Sequence, residues 1–223
     1  MHFEIKGTPF PVLILSMDQG DAVITDAGAM SWMDPGLKME TTSKGGLGGA
    51  FGRMVSGETA FQNRYVAERP ARLALASSFP GEIRMIEITP NKGIVLQKSS
   101  FLASDESVER KVVVQKKLST GIFGGEGFIM SRYFGEGRLF IEIDGTAVEY
   151  DLERGQKLIL DTGYLVAMDD TCKMEIESVK GLKNKVLGGE GLFNTVVTGP
   201  GHIIVQTMPF SVLAGRMMVG SGS

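Results

Sequence analysis

A nearly all-β fold follows from three features of this chain: a two-residue hydrophobic period, an excess of glycine, and phrases that recur along its length. In the segment TCKMEIES, Cys172, Met174 and Ile176 fall on one face and Thr171, Lys173, Glu175 and Glu177 on the other, the pattern of a half-buried strand. Glycine supplies 30 of 223 residues, nearly twice the usual share of about 7%. It adopts positive φ without steric cost, so closely spaced tight turns are expected. The stretch FGGEGFIMSRYFGEGRLFI, beginning at Phe123, returns as LGGEGLFNTVVTGPGHIIV, beginning at Leu187. Gly124, Gly125, Glu126 and Gly127 recur as Gly188, Gly189, Glu190 and Gly191, and Gly135 and Gly137 recur as Gly199 and Gly201.

Along the chain, the opening MHFEIKGTPFPVLIL lacks the basic start, apolar run and small-residue cleavage site of a signal peptide. No apolar run approaches the roughly 18 to 20 residues of a membrane span, so a soluble, cytoplasmic protein is expected. A second phrase recurs at 19–34, 92–105 and 154–169: a glycine turn, a short apolar strand, a break, and a second apolar run closing on Asp34, Asp105 or Asp169. A glycine pair follows each, at Gly48-Gly49, Gly124-Gly125 and Gly188-Gly189. Three degenerate β-repeats of approximately 1–77, 78–140 and 141–210 are the economical reading, packed with pseudo-symmetry as a single compact domain over 1–215 with a frayed tail at 216–223.

Within this frame, Ala-Leu alternation at Leu73 and Leu75 marks a strand in the softest join, 68–82. EIRMIEITPNKGIVLQ is expected as a hairpin turning at Pro90-Asn91-Lys92-Gly93, and RLFIEIDGTAVEYDL as a hairpin with a type I′ turn at Asp144-Gly145. KVVVQ and HIIVQT suit strands covered on both faces. Helical signals are confined to Ser104–Arg110 and to a turn or two around Phe51–Val55.

The chemistry is sparse. A net charge of −3 and a pI near 5.5 argue against a nucleic-acid partner, which selects for a basic surplus; Arg110, Lys111, Lys116 and Lys117 read as the wet face and ends of a strand. A single cysteine excludes an internal disulfide and a cysteine-built zinc site, and two histidines, His2 and His202, exclude a His-rich one. The glycine arrays do not match a phosphate loop. The third glycine of G-x-G-x-x-G is replaced by Met130 in one copy and Asn194 in the other, and strands rather than helices flank both. Gly124, Gly125, Gly127, Gly188, Gly189 and Gly191 are therefore structural, permitting close packing at strand ends. Glu126 and Glu190 occupy one position in two copies and are weak ligand-binding candidates, although Ala50 holds that position in the first. Asp34, Asp105 and Asp169 read as turn residues bonding local amides, His202 as a structural histidine at a strand entry, and Cys172 as a small hydrophobe. No catalytic residue, metal site or cofactor is assigned. Phe51, Phe123, Phe128 and Phe193, flanked by glycines, could form an apolar patch for a partner, a membrane surface or self-association.

The phrases ITDAGAMSWMD, FLASDESV, GGEGFIMSRYFGEGRLFIEIDGTAVEYDL, YLVAMDDT and GGEGLFNTVVTGPGHIIVQTMPF together resemble the bacterial branch of the altered-inheritance-of-mitochondria family, number twenty-four, from about Phe3 to about Gly215. The resemblance implies duplicated β-sandwich or double-stranded β-helix units like those of the tryptophan RNA-binding attenuation protein, and self-association into a homo-oligomer. It implies no catalytic residues, and a fold likeness does not carry RNA binding with it. The expected function is a non-catalytic homo-oligomeric scaffold or binding module. The alternatives are a small-ligand or metal-binding protein using Glu126 and Glu190, with enzymatic activity attached, and a peripheral membrane-associated protein.

Overall fold

In the computed structural model, residues 1–42, 62–116, 127–178, 193–210 and 212–213 are described. Almost all of the regular structure is antiparallel β, as the two-residue period requires. After β1 (His2–Lys6), the strands repeat one pairing scheme three times. The first set is β2 (Val12–Met17), β3 (Ala22–Asp26), β4 (Met30–Met33), β5 (Leu37–Thr42), β6 (Gln62–Ala67) and β7 (Ala71–Ala76). The second is β8 (Gly81–Ile88), β9 (Ile94–Gln97), β10 (Phe101–Asp105), β11 (Val108–Lys116), β12 (Phe128–Gly135) and β13 (Gly137–Asp144). The third is β14 (Ala147–Leu152), β15 (Lys157–Asp161), β16 (Leu165–Asp169), β17 (Lys173–Ser178), β18 (Phe193–Thr198) and β19 (Gly201–Gln206). In each set the first and third strands pair with the sixth, and the second and fourth pair with the fifth. Even the irregularity repeats: the third strand of every set slips register once, between Met30 and Trp32, Phe101 and Ala103, and Leu165 and Ala167.

Each set is thus split between two sheets, and the sets are joined by one rule. The second strand of a set pairs with the third strand of the next, β3 with β10 and β9 with β16. The result is a four-stranded sheet (β1-β2-β7-β4), two six-stranded sheets (β5-β6-β3-β10-β13-β8 and β11-β12-β9-β16-β19-β14) and a three-stranded sheet (β15-β18-β17). Three apolar cores lie between successive sheets. Leu13, Leu73, Tyr65 and Phe140 belong to the first, Leu96, Tyr133, Leu139 and Val166 to the second, and Met130, Leu165, Val197 and Ile203 to the third. Burial of these side chains supplies the main driving force for the fold.

Several local expectations need correction. Neither predicted hairpin forms: β8 and β9 lie in different sheets, linked only by a bridge between Thr89 and Lys92, and β13 and β14 are likewise separated. Gly145 takes a positive φ of 76°, but Asp144 does not and ends β13, so the type I′ turn does not form; partner choice is non-local, since both of these chain reversals also switch sheet. The segment predicted as a helix from Ser104 to Arg110 is the end of β10, a turn and the start of β11; Leu102 and Val108 bury into separate cores, so packing overrides local propensity. The helix expected at Phe51–Val55, the tail at 216–223 and Lys117 lie outside the described residues. KVVVQ in β11 is not covered on both faces, because alternate residues, including Val113, are exposed. HIIVQT in β19 is covered, with Ile203, Ile204 and Val205 all buried.

Candidate functional site

Of the residues picked from sequence, Glu126, Glu190, Gly124, Gly125, Gly188, Gly189, Gly191, Phe51 and Phe123 lie outside the described residues. Gly127 is described and immediately precedes β12, at φ 80°. Phe128 is buried in the third core rather than set at an apolar tip, and Phe193 packs half-buried against the same core, with Lys116 Nζ 5.8 Å from its ring centre.

The polar residues that the repeats share converge on one tie. Asp34 Oδ2 accepts the backbone N–H of Arg72 at 3.1 Å and its Nε–H at 2.8 Å. Asp105 Oδ2 accepts the backbone N–H and the Nε–H of Arg138, both at 2.9 Å, and its Oδ1 accepts the Nη2–H at 2.9 Å. Asp169 Oδ2 accepts the backbone N–H of His202 at 3.0 Å, and Lys92 Nζ sits 3.4 Å from its Oδ1. The amides lie 38, 33 and 33 residues away, so these aspartates do not bond local turns as expected; they fasten the third strand of each set to the sixth. The Arg72 hydrogen bond holds the Asp34 carboxyl below the usual carboxylate range. Glycine makes room for the tie in the second and third sets. At Gly137 (φ +146°) an added Cβ would lie 3.1 Å from the Asp105 Cβ, and at Gly201 (φ +149°) 3.0 Å from the Asp169 Cβ.

Among the described residues, the densest charged cluster stands where β8 and β14, edge strands of the two six-stranded sheets, approach each other. Arg84 donates to Glu82 through Nε (3.0 Å) and Nη2 (2.8 Å), and through Nη1 to Glu149; Glu82 Oε1 also accepts the Ala147 N–H at 3.0 Å. Opposite Asp151 in the β14–β19 register, His202 places Nδ1 2.8 Å from Asp151 Oδ1 and Nε2 2.8 Å from Glu149 Oε2. Burial pulls the imidazole toward neutrality, but the two carboxylates together outweigh it and hold the His202 pKa above its ordinary value. Arg84, foremost, and then His202 hold Glu149 below the usual range against a smaller desolvation penalty. An imidazolium with both nitrogens engaged has no lone pair left to accept a proton. The cluster fastens two sheet edges, with the His202 ring held between Asp151 and Glu149.

Two further groups, Glu142 and Cys172, sit within the framework. Burial raises the Glu142 carboxyl, which accepts the Ser78 N–H at 2.9 Å and the Ser77 hydroxyl at 3.1 Å. The Cys172 thiol is pushed up by burial and, secondarily, by Asp169, consistent with an unreactive hydrophobe. Among the described residues no set of three or more His, Cys, Asp or Glu side chains is arranged to hold a metal ion, and no helix is long and apolar enough to cross a membrane. Sequence reasoning missed Glu82, Arg84, Glu149 and Asp151. Only the β14–β19 register, which couples residues about 50 apart, makes Asp151 and His202 neighbours.

Comparisons with known proteins match this chain over nearly its whole length. The family model described as mitochondrial biogenesis AIM24 matches residues 3–208. An uncharacterized protein of Streptococcus pyogenes serotype M6, M6_Spy0233, is 30% identical over 227 aligned positions, covering 97% of this chain and 90% of the relative. The crystal structure of protein SPYM3_0169 from Streptococcus pyogenes superposes with a TM-score of 0.81 at 26% identity, covering 98% of this chain and 99% of that one.

Proposed function

The chain belongs to the mitochondrial biogenesis AIM24 family, and from that premise we propose that it is a non-catalytic, self-associating β-repeat scaffold or binding module. The observation that carries the reading is how the recurring polar positions are used. Asp34, Asp105 and Asp169 each fasten one strand to another across a repeat, and the largest charged cluster fastens two sheet edges. Side chains committed in this way support assembly rather than turnover. The finer likeness to the tryptophan RNA-binding attenuation fold belongs to the same proposal, without its RNA.

Sedimentation velocity over a wide concentration range tests the reading, with concentration-dependent association expected. A strict monomer at the highest concentration would remove the self-associating part. A thermal-shift panel of divalent metals, nucleotides and metabolites is expected to leave the melting temperature in place. A ligand selective for the folded state must raise it, so a reproducible rise would favour the ligand-binding alternative.

A further inference from the structure

The two junctions between repeats show how this fold joins its units, and the ends of the chain leave one such junction unmade. In β3–β10, Thr25 faces Ala103, Ile24 faces Ser104 and Val23 faces Asp105. In β9–β16, Leu96 faces Ala167, Val95 faces Met168 and Ile94 faces Asp169. The strand equivalent to β10 and β16 in the first set is β4, which is followed at once by Asp34, the counterpart of the Asp105 and Asp169 that close β10 and β16. The strand equivalent to β3 and β9 in the third set is β15, because Val23, Ile94 and Leu158 face Tyr65, Tyr133 and Val197 in their ladders. Both strands lie at open sheet edges, and among the described residues no ladder joins them within one chain. Among the described residues the three cores link the sheets in order, and none of them spans the first sheet and the last.

We propose that β4 of one copy adds antiparallel to β15 of the next in the internal register, pairing Trp32 with Leu160, Met33 with Ile159 and Asp34 with Leu158. The inference deepens the self-association reading and rests on it. The second copy is the occupant because the chain already makes this joint twice with its own strands. The exposures fit the vacancy. Trp32 is 55% exposed, Met33 39% and Ile159 63%, all large apolar side chains on edge strands of a kind that proteins ordinarily blunt or cover. Paired residues share a sheet face, so Trp32 would fall on the Leu158 and Leu160 side, where the third core is only half covered. The equivalents Val23 and Thr25, and Leu96, are fully buried. Met33 and Ile159 would cover each other on the opposite face. The contact is head-to-tail and grows into a closed ring or a filament according to the rotation between copies.

Full-length Met33→Cys and Ile159→Cys proteins, mixed under mild oxidation, are expected to give a disulfide-linked dimer that neither gives alone; mass mapping should place the bridge between positions 33 and 159. Opposed residues in an antiparallel ladder come close enough for such a bond. Trp32 is the single tryptophan, so the unaltered protein supplies a second readout. Its emission should shift to shorter wavelength as concentration rises, and Ile159→Asp should weaken association by about tenfold or more. An oligomer without the 33–159 bridge, with emission independent of concentration, would overturn this interface while leaving self-association intact. A strict monomer would overturn both. A bridge forming only inside a single chain of the double-cysteine variant would show that the ends close on themselves, and would equally overturn the proposal.

Discussion

Ala103 and Ala167 are completely buried at the two internal junctions, whereas Trp32, at the same position in the first repeat, is 55% exposed. Their backbones share a pairing scheme, a register slip and an aspartate tie. What differs is the neighbour: β10 and β16 each lie between two strands, and among the described residues β4 has a partner strand on one side only. Exposure at this position is therefore set by place in the array. The residue chosen fits that place, since a joint made within the chain carries alanine and the open end carries the bulkiest side chain available.

The largest expected effect comes from placing one charge in both settings. Ala167→Glu buries an unpaired carboxylate in the second core and should cost about 3 to 5 kcal/mol in denaturant unfolding, or prevent folding. Trp32→Glu, measured in dilute solution where copies are apart, should move stability by roughly 0.5 kcal/mol or less. Equal losses would mean that the open end is covered even in the single chain, and the contrast would fail.

A smaller effect sharpens the same contrast. Asp105→Ala removes a half-buried acceptor of three hydrogen bonds from Arg138 and should cost about 1 to 3 kcal/mol. Asp34 makes the corresponding tie at the exposed end, where solvent competes for Arg72, so Asp34→Ala should cost clearly less. Chemical denaturation of the two variants side by side decides the order.

These ties also mark where the sequence was legible. The two-residue period in TCKMEIES gave a strand with Cys172, Met174 and Ile176 inward, and that is how β17 sits. The three aspartates were recognisable as a set because they close the same phrase. Their partners were not, because Arg72, Arg138 and His202 are brought near only by strand pairing over more than 30 residues. Both hairpin predictions failed for a related reason. Gly145 supplies the positive φ of a chain reversal, but a reversal does not fix the sheet that receives the next strand. The Arg84–Glu149–His202 cluster depends on two sheets approaching edge to edge, which no local pattern encodes.

The smallest expected effect distinguishes the third repeat from the other two. At the position of Arg72 and Arg138 it carries His202, whose backbone N–H makes the tie to Asp169 while its imidazole faces Asp151 and Glu149, so here alone the residue at that position can lose its charge by titration. Asp151 and Glu149 raise the folded His202 pKa above the ordinary 6.5 despite burial, so proton binding favours the folded chain. The contribution is complete below about pH 6.5 and is lost as pH climbs through the raised folded value. Glu149, lowered chiefly by Arg84, contributes above its ordinary 4.5 and loses that contribution as pH falls through its depressed value. The cluster is therefore strongest between the ordinary pKa values of these two groups. Melting temperatures of the unaltered protein and of His202→Gln should differ most in that window and converge once pH has passed the raised His202 value. His202→Arg, which copies the other repeats, should remove the alkaline loss. A gap between unaltered and Gln proteins that stays constant from pH 5 to 9 would mean that the imidazole packs without carrying charge.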